Sequence, residues 1–567
     1  MKFHGLDTET VNGAAMIIAT EKDWTTVGCF QDVARFLFNK KNRGHAFFTW
    51  NLGYDARAII KWLPFVLWDD LYHSIRTEYN GIRIYYIQDK LFSIGKGKNT
   101  STLYDIAQFY NRKSLDSQAD FYFGEHKQDK AHWTEYVNEH PDLEEQVRYL
   151  NEHQAEIGEY CRLDAELTYK LGNLMKDSFE GLGVSFNKPI SGGSLAKRYL
   201  MKNTEYPVTW KSNALNLFAR SAYHGGIFST HKLGIYHDVW DYDINSAYPY
   251  EMLNLPNWDN GEYRLNIEKP SDTPYGWYEC EFDCEWIPYE TDYKIFYPIG
   301  KRKQWITRKE YDWMKEHGYE CEFIQGHEWI QTKEEFESPF SWIDKMYKER
   351  QRIKTEHPED IREKAIKLLI NSTYGKTAQH KPSETEVTNY MYASYITAGT
   401  RLQIADIANE YYDSVIQIAT DGIMLEEEIG LPISRKIGDW EVNRYDKVLV
   451  LGSGRYQAFN GEEYFTKLRG ITGRRDYDLL RKCEENKDKD VITYSRETPL
   501  PLFMVLAEAM FKPTQMNVFM SRNREIKLNS DDKRRWTRRY RNFGDLLKHP
   551  CDSKPYKVRQ LEKYIRR

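Results

Sequence analysis

Cysteine is scarce in this 567-residue chain: seven residues, an odd number, lie scattered at positions 29, 161, 280, 284, 321, 483 and 551. That usage argues against a disulfide framework and fits a reducing compartment. Cys280 and Cys284 share a face of a predicted strand. No second Cys/His pair lies nearby to complete a zinc site, so two packed thiols are expected there. Long apolar runs are missing too. The richest stretches, Ala58–Trp68 and Leu500–Phe511, are short and broken by Lys61, Pro64, Pro501 and Glu508, which excludes a membrane helix of roughly 18 apolar residues. The N-terminus starts a strand-like run, so no signal peptide is expected. Gly (34) and Pro (19) are too few for a collagen-like or low-complexity chain, and no internal repeat is present.

Bulky apolar material is abundant. Hydrophobic residues make up 41% and aromatics 15%, with 42 Tyr and 16 Trp, enough for sizeable cores in about three to five domains. The net charge of −5 is unevenly spread, with 16 Lys/Arg against 6 Asp/Glu between Ser521 and Arg567. An acidic body with a basic C-terminal arm suits carboxylate metal sites beside a phosphate-gripping segment; a solvated charged face is the plainer alternative.

Hydrophobic spacing predicts strand, turn, strand and helix over residues 1–60 and a long helix over 143–176. A glycine-punctuated domain boundary follows at Glu180–Gly193, then a strand running into a helix at 234–250. Aromatic alternation predicts a β-containing insertion at 275–330. Two helices meet at His357-Pro358, and strand, helix, strand covers 385–425.

Carboxylates recur in these elements. In Asp7-Thr8-Glu9-Thr10 the two acids fall on one strand face and repel unless a cation sits between them or water surrounds them. Asn51-Leu52-Gly53-Tyr54-Asp55 opens a helix, and Tyr160 and Asp164 are neighbours on another. Alone, Asp55 reads as a cap and Asp164 as a solvated residue. Together they offer four carboxylates and a phenol, enough for two divalent ions and phosphodiester hydrolysis. Asp241-Tyr242-Asp243-Ile244-Asn245-Ser246-Ala247-Tyr248-Pro249 ends a strand and begins a helix. In Lys367-Leu368-Leu369-Ile370-Asn371-Ser372-Thr373-Tyr374-Gly375-Lys376 a cation, an amide and an aromatic ring occupy adjacent turns of one helical face. That set suits a triphosphate, a sugar edge and a base plane. Gln417–Leu425 reads as a hairpin centred on Ala419-Thr420-Asp421.

These segments resemble, in order, the exonuclease and polymerase motifs of family B DNA polymerases, from Asp7 to about Trp536. The resemblance implies an α/β multidomain fold, an RNase H-like exonuclease domain beside a right-hand polymerase of palm, fingers and thumb. It implies a 3′–5′ exonuclease domain at 1–183, palm at 184–340 with the β-containing insertion, fingers at 341–378, palm again at 379–436, and thumb with basic arm at 437–567. Asp7, Glu9, Asp55 and Asp164 would bind metal, with Tyr160 orienting the attacking water, and Lys127 is a weaker correspondence. Thr10, Asn51 and Tyr54 would hold single-stranded DNA. In the palm, Asp243, Asp421 and the Ile244 carbonyl would bind metal, and Tyr248 would collide with a 2′-hydroxyl. Arg350, Lys354, Lys367, Asn371 and Tyr374 would bind the incoming nucleotide. Tyr223, Gly225, Gly226, Arg455, Tyr456 and Lys467 would contact DNA, as would Lys533-Arg534-Arg535 with Trp536 interleaved.

Two departures stand out. Ala419 occupies the place of a usual aspartate and Gly422 that of a usual serine. The resemblance implies two Mg²⁺ ions, or Mn²⁺, per active site, with primer–template DNA and dNTPs as partners. The compact length and Tyr223-His224-Gly225-Gly226 are most similar to the protein-primed branch of phages and linear plasmids, which implies a terminal-protein primer. A monomer working in the cytoplasm of a host cell, without membrane contact, is expected. Only about 20 residues separate Lys376 from the Ile396 helix, so the branch's second insertion is expected to be absent or vestigial. A nuclease with a decayed polymerase half and a polymerase that starts without terminal protein stay open as alternatives.

Overall fold

Residues 2–130, 132–207, 214–379, 385–469, 477–499 and 519–561 are described in the computed structural model. They fall into two compact units. The first joins Met1–Asn203 to Met346–Ser372 and Arg496–Arg522; the second joins Thr204–Lys345, Thr373–Ser495 and Asn523–Arg567. The break at Asn203 lies beyond the glycine-rich boundary expected at Glu180–Gly193. Helix Gly192–Asn203 stays with the first unit because Gly192 lets Leu368 and Ser372 approach closely: a Cβ there would lie 2.8 Å from both. Among the described residues no helix is long and apolar enough to cross a membrane. The apolar run Leu500–Phe511 lies outside them.

The first unit is built on strand Phe3–Val11, which pairs antiparallel with Ala14–Thr20 and parallel with Ala46–Thr49. It is the third strand of an eight-stranded mixed sheet. One further strand, Asp23–Thr26, extends the sheet where the sequence suggested only two before the first helix. The helix expected over 143–176 is two, Leu143–Glu152 and Gln154–Gly181, broken at His153. The longer one lies against the sheet at short range: a Cβ on Gly5 would fall 1.8 Å from the Ala165 carbonyl, and one on Gly172 2.0 Å from the Phe48 ring. The segment Met346–Ser372 closes this unit, with Lys364 Nζ donating to Gln118 Oε1 (3.3 Å) and lying 5.0 Å from the Tyr122 ring centroid.

The second unit centres on strand Lys232–Ile244, paired antiparallel with Trp440–Gly452 on one side and Gly422–Leu425 on the other. Val415–Ala419 and Phe228–Thr230 continue that sheet. As expected, Lys232–Ile244 runs directly into a helix, Ala247–Leu253. The insertion begins earlier than its aromatic pattern suggested. It is a four-stranded sheet of Gly261–Ile267, Cys321–Gln331, Tyr275–Phe282 and Arg302–Thr307. Its strand ends at Phe282, before Cys284, and the thiol partner of Cys280 is Cys321 instead.

No strand forms at 385. The Thr385 N–H bonds to Thr388 Oγ1, and Asn389 Oδ1 accepts from Met391 and Tyr392 as the cap of helix Tyr390–Glu410. Local side-chain bonds there replace a strand ladder. The basic arm is also partly internal. Arg534 is buried against Glu285, Tyr412 and Ser553, and Lys533 Nζ donates to the Phe228 carbonyl. Trp536 Nε1 donates to the Asp531 carbonyl. The string expected to grip phosphate thus ties the second unit together, while Arg535, Arg538 and Arg539 remain exposed.

Candidate functional site

In the first unit, the close packing at Gly5 delivers Asp164 from the long helix to Asp7 on the strand. A cavity of about 580 Å³ is lined by Asp7, Glu9, Asp55, Tyr160, Asp164 and Lys127, the acids and phenol expected from sequence plus the lysine. Burial pushes the Asp7 carboxyl up to about 7, helped by the charge of Asp164. Burial likewise pushes Asp164 up to about 6 and carries Glu9 and Asp55 well above the carboxylate range. Four such acids cannot all ionise without a cation. Asp55 Oδ2 and Asp164 Oδ1 are buried without a hydrogen-bond partner. Unpartnered buried carboxylate oxygens among acids fit divalent ions.

The neighbours of these acids come from distant segments. Thr8 Oγ1 donates to Asp55 Oδ1 (2.8 Å), and Trp133 Nε1 to Glu9 Oε2 (3.0 Å). Lys127 forms an ion pair with Asp164 and sits 5.0 Å from the Tyr160 ring centroid. The Thr10 hydroxyl bonds to Tyr54, and Asn51, in the left-handed region at φ 63°, begins the helix carrying Asp55. Trp133 escaped sequence reasoning, since no motif surrounds it.

In the second unit, Asp243 stands directly opposite Gly422 and Glu441 on the two flanking strands. Asp421 closes the hairpin beside Gly422, its carbonyl accepting the Ile244 N–H (2.9 Å). Burial, then Asp421, Asp241 and Glu441, push Asp243 up to about 8, and burial raises Asp421. This pair also fits a divalent ion. The departure at Ala419 is explained by register. Ala419 pairs with Gly422, which pairs with Asp243, so position 419 stands about 10 Å from Asp243 at about 4.8 Å per strand. Asp421 is the nearer carboxylate. Gly422 is equally constrained, because a Cβ there would lie 2.9 Å from Asp243 Oδ1.

Around this pair the tyrosines form a cluster. The rings of Tyr248 and Tyr374 are 4.3 Å apart, and the Tyr374 and Tyr223 hydroxyls are 2.9 Å apart. Tyr223, expected on DNA, is therefore engaged within the protein. Gly226 has a protein reason too: a Cβ there would meet Thr420 Cγ2 at 2.8 Å and the Tyr248 hydroxyl at 3.2 Å, while Gly225 faces open space. Arg401, fully buried and paired with Glu310, donates to the His224 and Gly225 carbonyls (2.9 and 2.6 Å). Sequence reasoning missed it; the only signal is a lone charge within the apolar and small residues of Tyr390–Leu402, which does not show what it pairs with. Lys467 lies 5.8 Å from the buried Tyr456 ring, and its charge reaches Asp241, Asp243 and Asp421. Arg455 donates to Ser530 Oγ (3.1 Å).

The remaining nucleotide-binding expectations fall on helices Trp342–Glu356 and Arg362–Thr377. Lys354, Lys367 and Asn371 are exposed, and Arg350 pairs with Glu363 at 2.8 Å.

Comparison with known proteins gives a consistent result. A sequence model described as DNA polymerase type B, organellar and viral, matches residues 39–393. The DNA polymerase of Acidianus bottle-shaped virus (isolate Italy/Pozzuoli) is 24% identical over 443 residues, 72% of this chain. A probable DNA polymerase of Neurospora intermedia is 28% identical over 249 residues, 39% of this chain. The chain spans 65% and 24% of the lengths of these two relatives. Among solved structures, phi29 DNA polymerase complexed with primer–template DNA and incoming nucleotide matches with a TM-score of 0.66 at 16% identity, covering 93% of this chain and all of that one. The mixed α/β multidomain fold expected from the sequence is the fold of that polymerase.

Proposed function

This chain belongs to the organellar and viral type B DNA polymerases, and from that premise we propose that it extends a primer 3′-hydroxyl along a DNA template and proofreads with its N-terminal unit. The observation that carries the reading is the meeting of Asp243, at the end of its strand, with Asp421 in the hairpin turn beside its partner Gly422, with Asp243 pushed up to about 8 by burial and by its acidic neighbours. Divalent ions held by these acids, or by Asp7, Glu9, Asp55 and Asp164, would supply positive charge where phosphate oxygens gain negative charge.

The chain's own groups do the rest. Tyr248, backed by Tyr374 and Gly226, closes the space beneath the incoming sugar, so a 2′-hydroxyl has no room. Lys367, Arg350 and Lys354 draw in the triphosphate, and Asn371 orients it. Positioning of the 3′-oxygen in line with the α-phosphorus, from which pyrophosphate departs, accounts for much of the rate. In the first unit Thr10, Asn51 and Tyr54 hold a frayed strand end, and the Tyr160 hydroxyl orients the attacking water. Arg455, Tyr456 and Lys467 steady the primer. The order exonuclease, palm, fingers, palm and thumb is part of this proposal, with its first boundary moved from residue 183 to Asn203, and with the polymerase acting as a monomer in a host cell's cytoplasm and starting strands from a terminal protein's hydroxyl.

The test is a labelled primer–template with Mg²⁺, with and without dNTPs. Wild type should extend, Asp421→Asn should lose extension, and Asp55→Ala should keep it while losing degradation. Ala419 favours one rival, a nuclease with a decayed polymerase half. Degradation whatever dNTP is present, abolished in Asp55→Ala, would establish that rival.

A further inference from the structure

Cys161 follows Tyr160 on the helix that delivers Asp164, and its side chain does not face the solvent. Its Sγ and one carboxylate oxygen each from Asp7 and Glu9 all lie within 4.8 Å of one another, with Cys161 buried and both acids half-buried. The thiol is within hydrogen-bonding reach of the Asp7 carboxylate. Cys161 belongs to one buried apolar cluster with Val11, Ile17, Trp133 and Ile157, so the sulfur joins apolar packing to the carboxylates. Ligands of one tetrahedral ion, at about 2.3 Å for sulfur and about 2.0–2.2 Å for oxygen, lie about 3.3–3.7 Å apart. The three donor atoms, all within 4.8 Å of one another, need to close by only about 1 Å to reach that spacing. Two more oxygens of the same cavity, Asp55 Oδ2 and Asp164 Oδ1, are buried without partners. The cluster is therefore more than a set of surface acids.

Oxygen-only sites suit Mg²⁺, whereas a thiolate favours softer or borderline ions such as Zn²⁺, Co²⁺ and Cd²⁺. We propose that the sulfur of Cys161 is a ligand of the divalent ion held by Asp7 and Glu9, making this a mixed carboxylate–thiolate site for a borderline or soft ion; this rests on the exonuclease reading above. On binding, the sulfur–metal bond forms as the S–H bond breaks, and the proton leaves to solvent. Trp133 Nε1 holds Glu9 through Oε2, which leaves Oε1 for the ion. Mg²⁺ still binds through the carboxylates alone, so the thiol changes which ions are held and leaves Mg²⁺ binding open.

Co²⁺ titration of the full-length, metal-free protein tests this, read by the near-ultraviolet sulfur-to-cobalt charge-transfer band. The wild type should show the band, and Cys161→Ser should lose it and bind Co²⁺ at least about tenfold more weakly, with Mg²⁺ affinity little changed. Asp7→Asn should also lose the band although the thiol remains, which covers the case in which Cys161→Ser fails to fold. Cys280→Ser should keep it. A wild-type protein without the band, or a band that survives Cys161→Ser, overturns the proposal. Failure to degrade single-stranded DNA in Mg²⁺, Mn²⁺ or Co²⁺ would instead sink the exonuclease reading, and the band would still report on the ligand.

Discussion

At the scale of single residues, the two acid clusters are held in a state that only a cation or a proton relieves. Asp7 and Asp243 are pushed from the usual 3.8 to about 7 and about 8, chiefly by burial. Between about pH 4 and pH 8 the folded, metal-free protein therefore keeps protons that the unfolded chain has released. More protons bound in the native state means that stability falls as pH rises through that window. In chelator, the thermal midpoint should drop by several degrees between about pH 5.5 and 8, and saturating Mg²⁺ should flatten the curve. A chelated midpoint that is level or rising across that range would count against the acids being held this way. Residue identity was legible where chemistry is dense. Asp7, Glu9, Asp55, Asp164, Asp243 and Asp421 could be picked from the sequence because they sit in segments that follow the family's motif order, although Asp55 or Asp164 alone reads as a cap or a solvated residue. Cys161, Trp133 and Arg401 could not be placed, since their value comes from what distant packing sets beside them.

At the scale of elements, the close approaches decide the geometry. The helix Gln154–Gly181 reaches the strand Phe3–Val11 because Gly5 has no side chain, and the hairpin at Thr420 and the Tyr248 hydroxyl both close on Gly226 because it has none. In Gly226→Ala the new methyl would lie 2.8 Å from Thr420 Cγ2. The hairpin must then shift, costing about 1–3 kcal/mol of stability and up to about 100-fold in extension rate. Exonuclease activity of the same preparation should persist. Equal loss of both would point to unfolding of the whole chain instead. Strand and helix types were mostly readable from periodicity, and the misreadings are informative. The region at 385 carries strand-like residues, but Thr388 and Asn389 bind the backbone locally and start a helix instead. The basic arm was read as a phosphate grip because exposure cannot be seen in a composition; Arg534 is internal.

At the scale of the whole molecule, the connection between helices Arg362–Thr377 and Tyr390–Glu410 comprises only residues 378–389. That is hairpin-sized, with no room for a domain that would enclose the template. Extension through a duplex against a trap that captures released polymerase should therefore stop early, with weak strand displacement. Long products from a single binding event would overturn that expectation. The broad α/β architecture was legible because the motifs run in order along the chain, whereas the return of Met346–Ser372 to the first unit was not. Neighbouring residues carry no sign of partners about 180 to 250 positions upstream.

That return has a consequence for how the protein is made. Lys364, Leu368 and Ser372 pack against Gln118, Tyr122 and Gly192, so the N-terminal unit lacks part of its own interior while the ribosome works through residues 204–345. At about 5–20 residues per second, that interval lasts on the order of 10 s. The N-terminal unit therefore matures only after residues 204–345 have emerged, and the nascent chain spends that time with a surface waiting for its own later sequence.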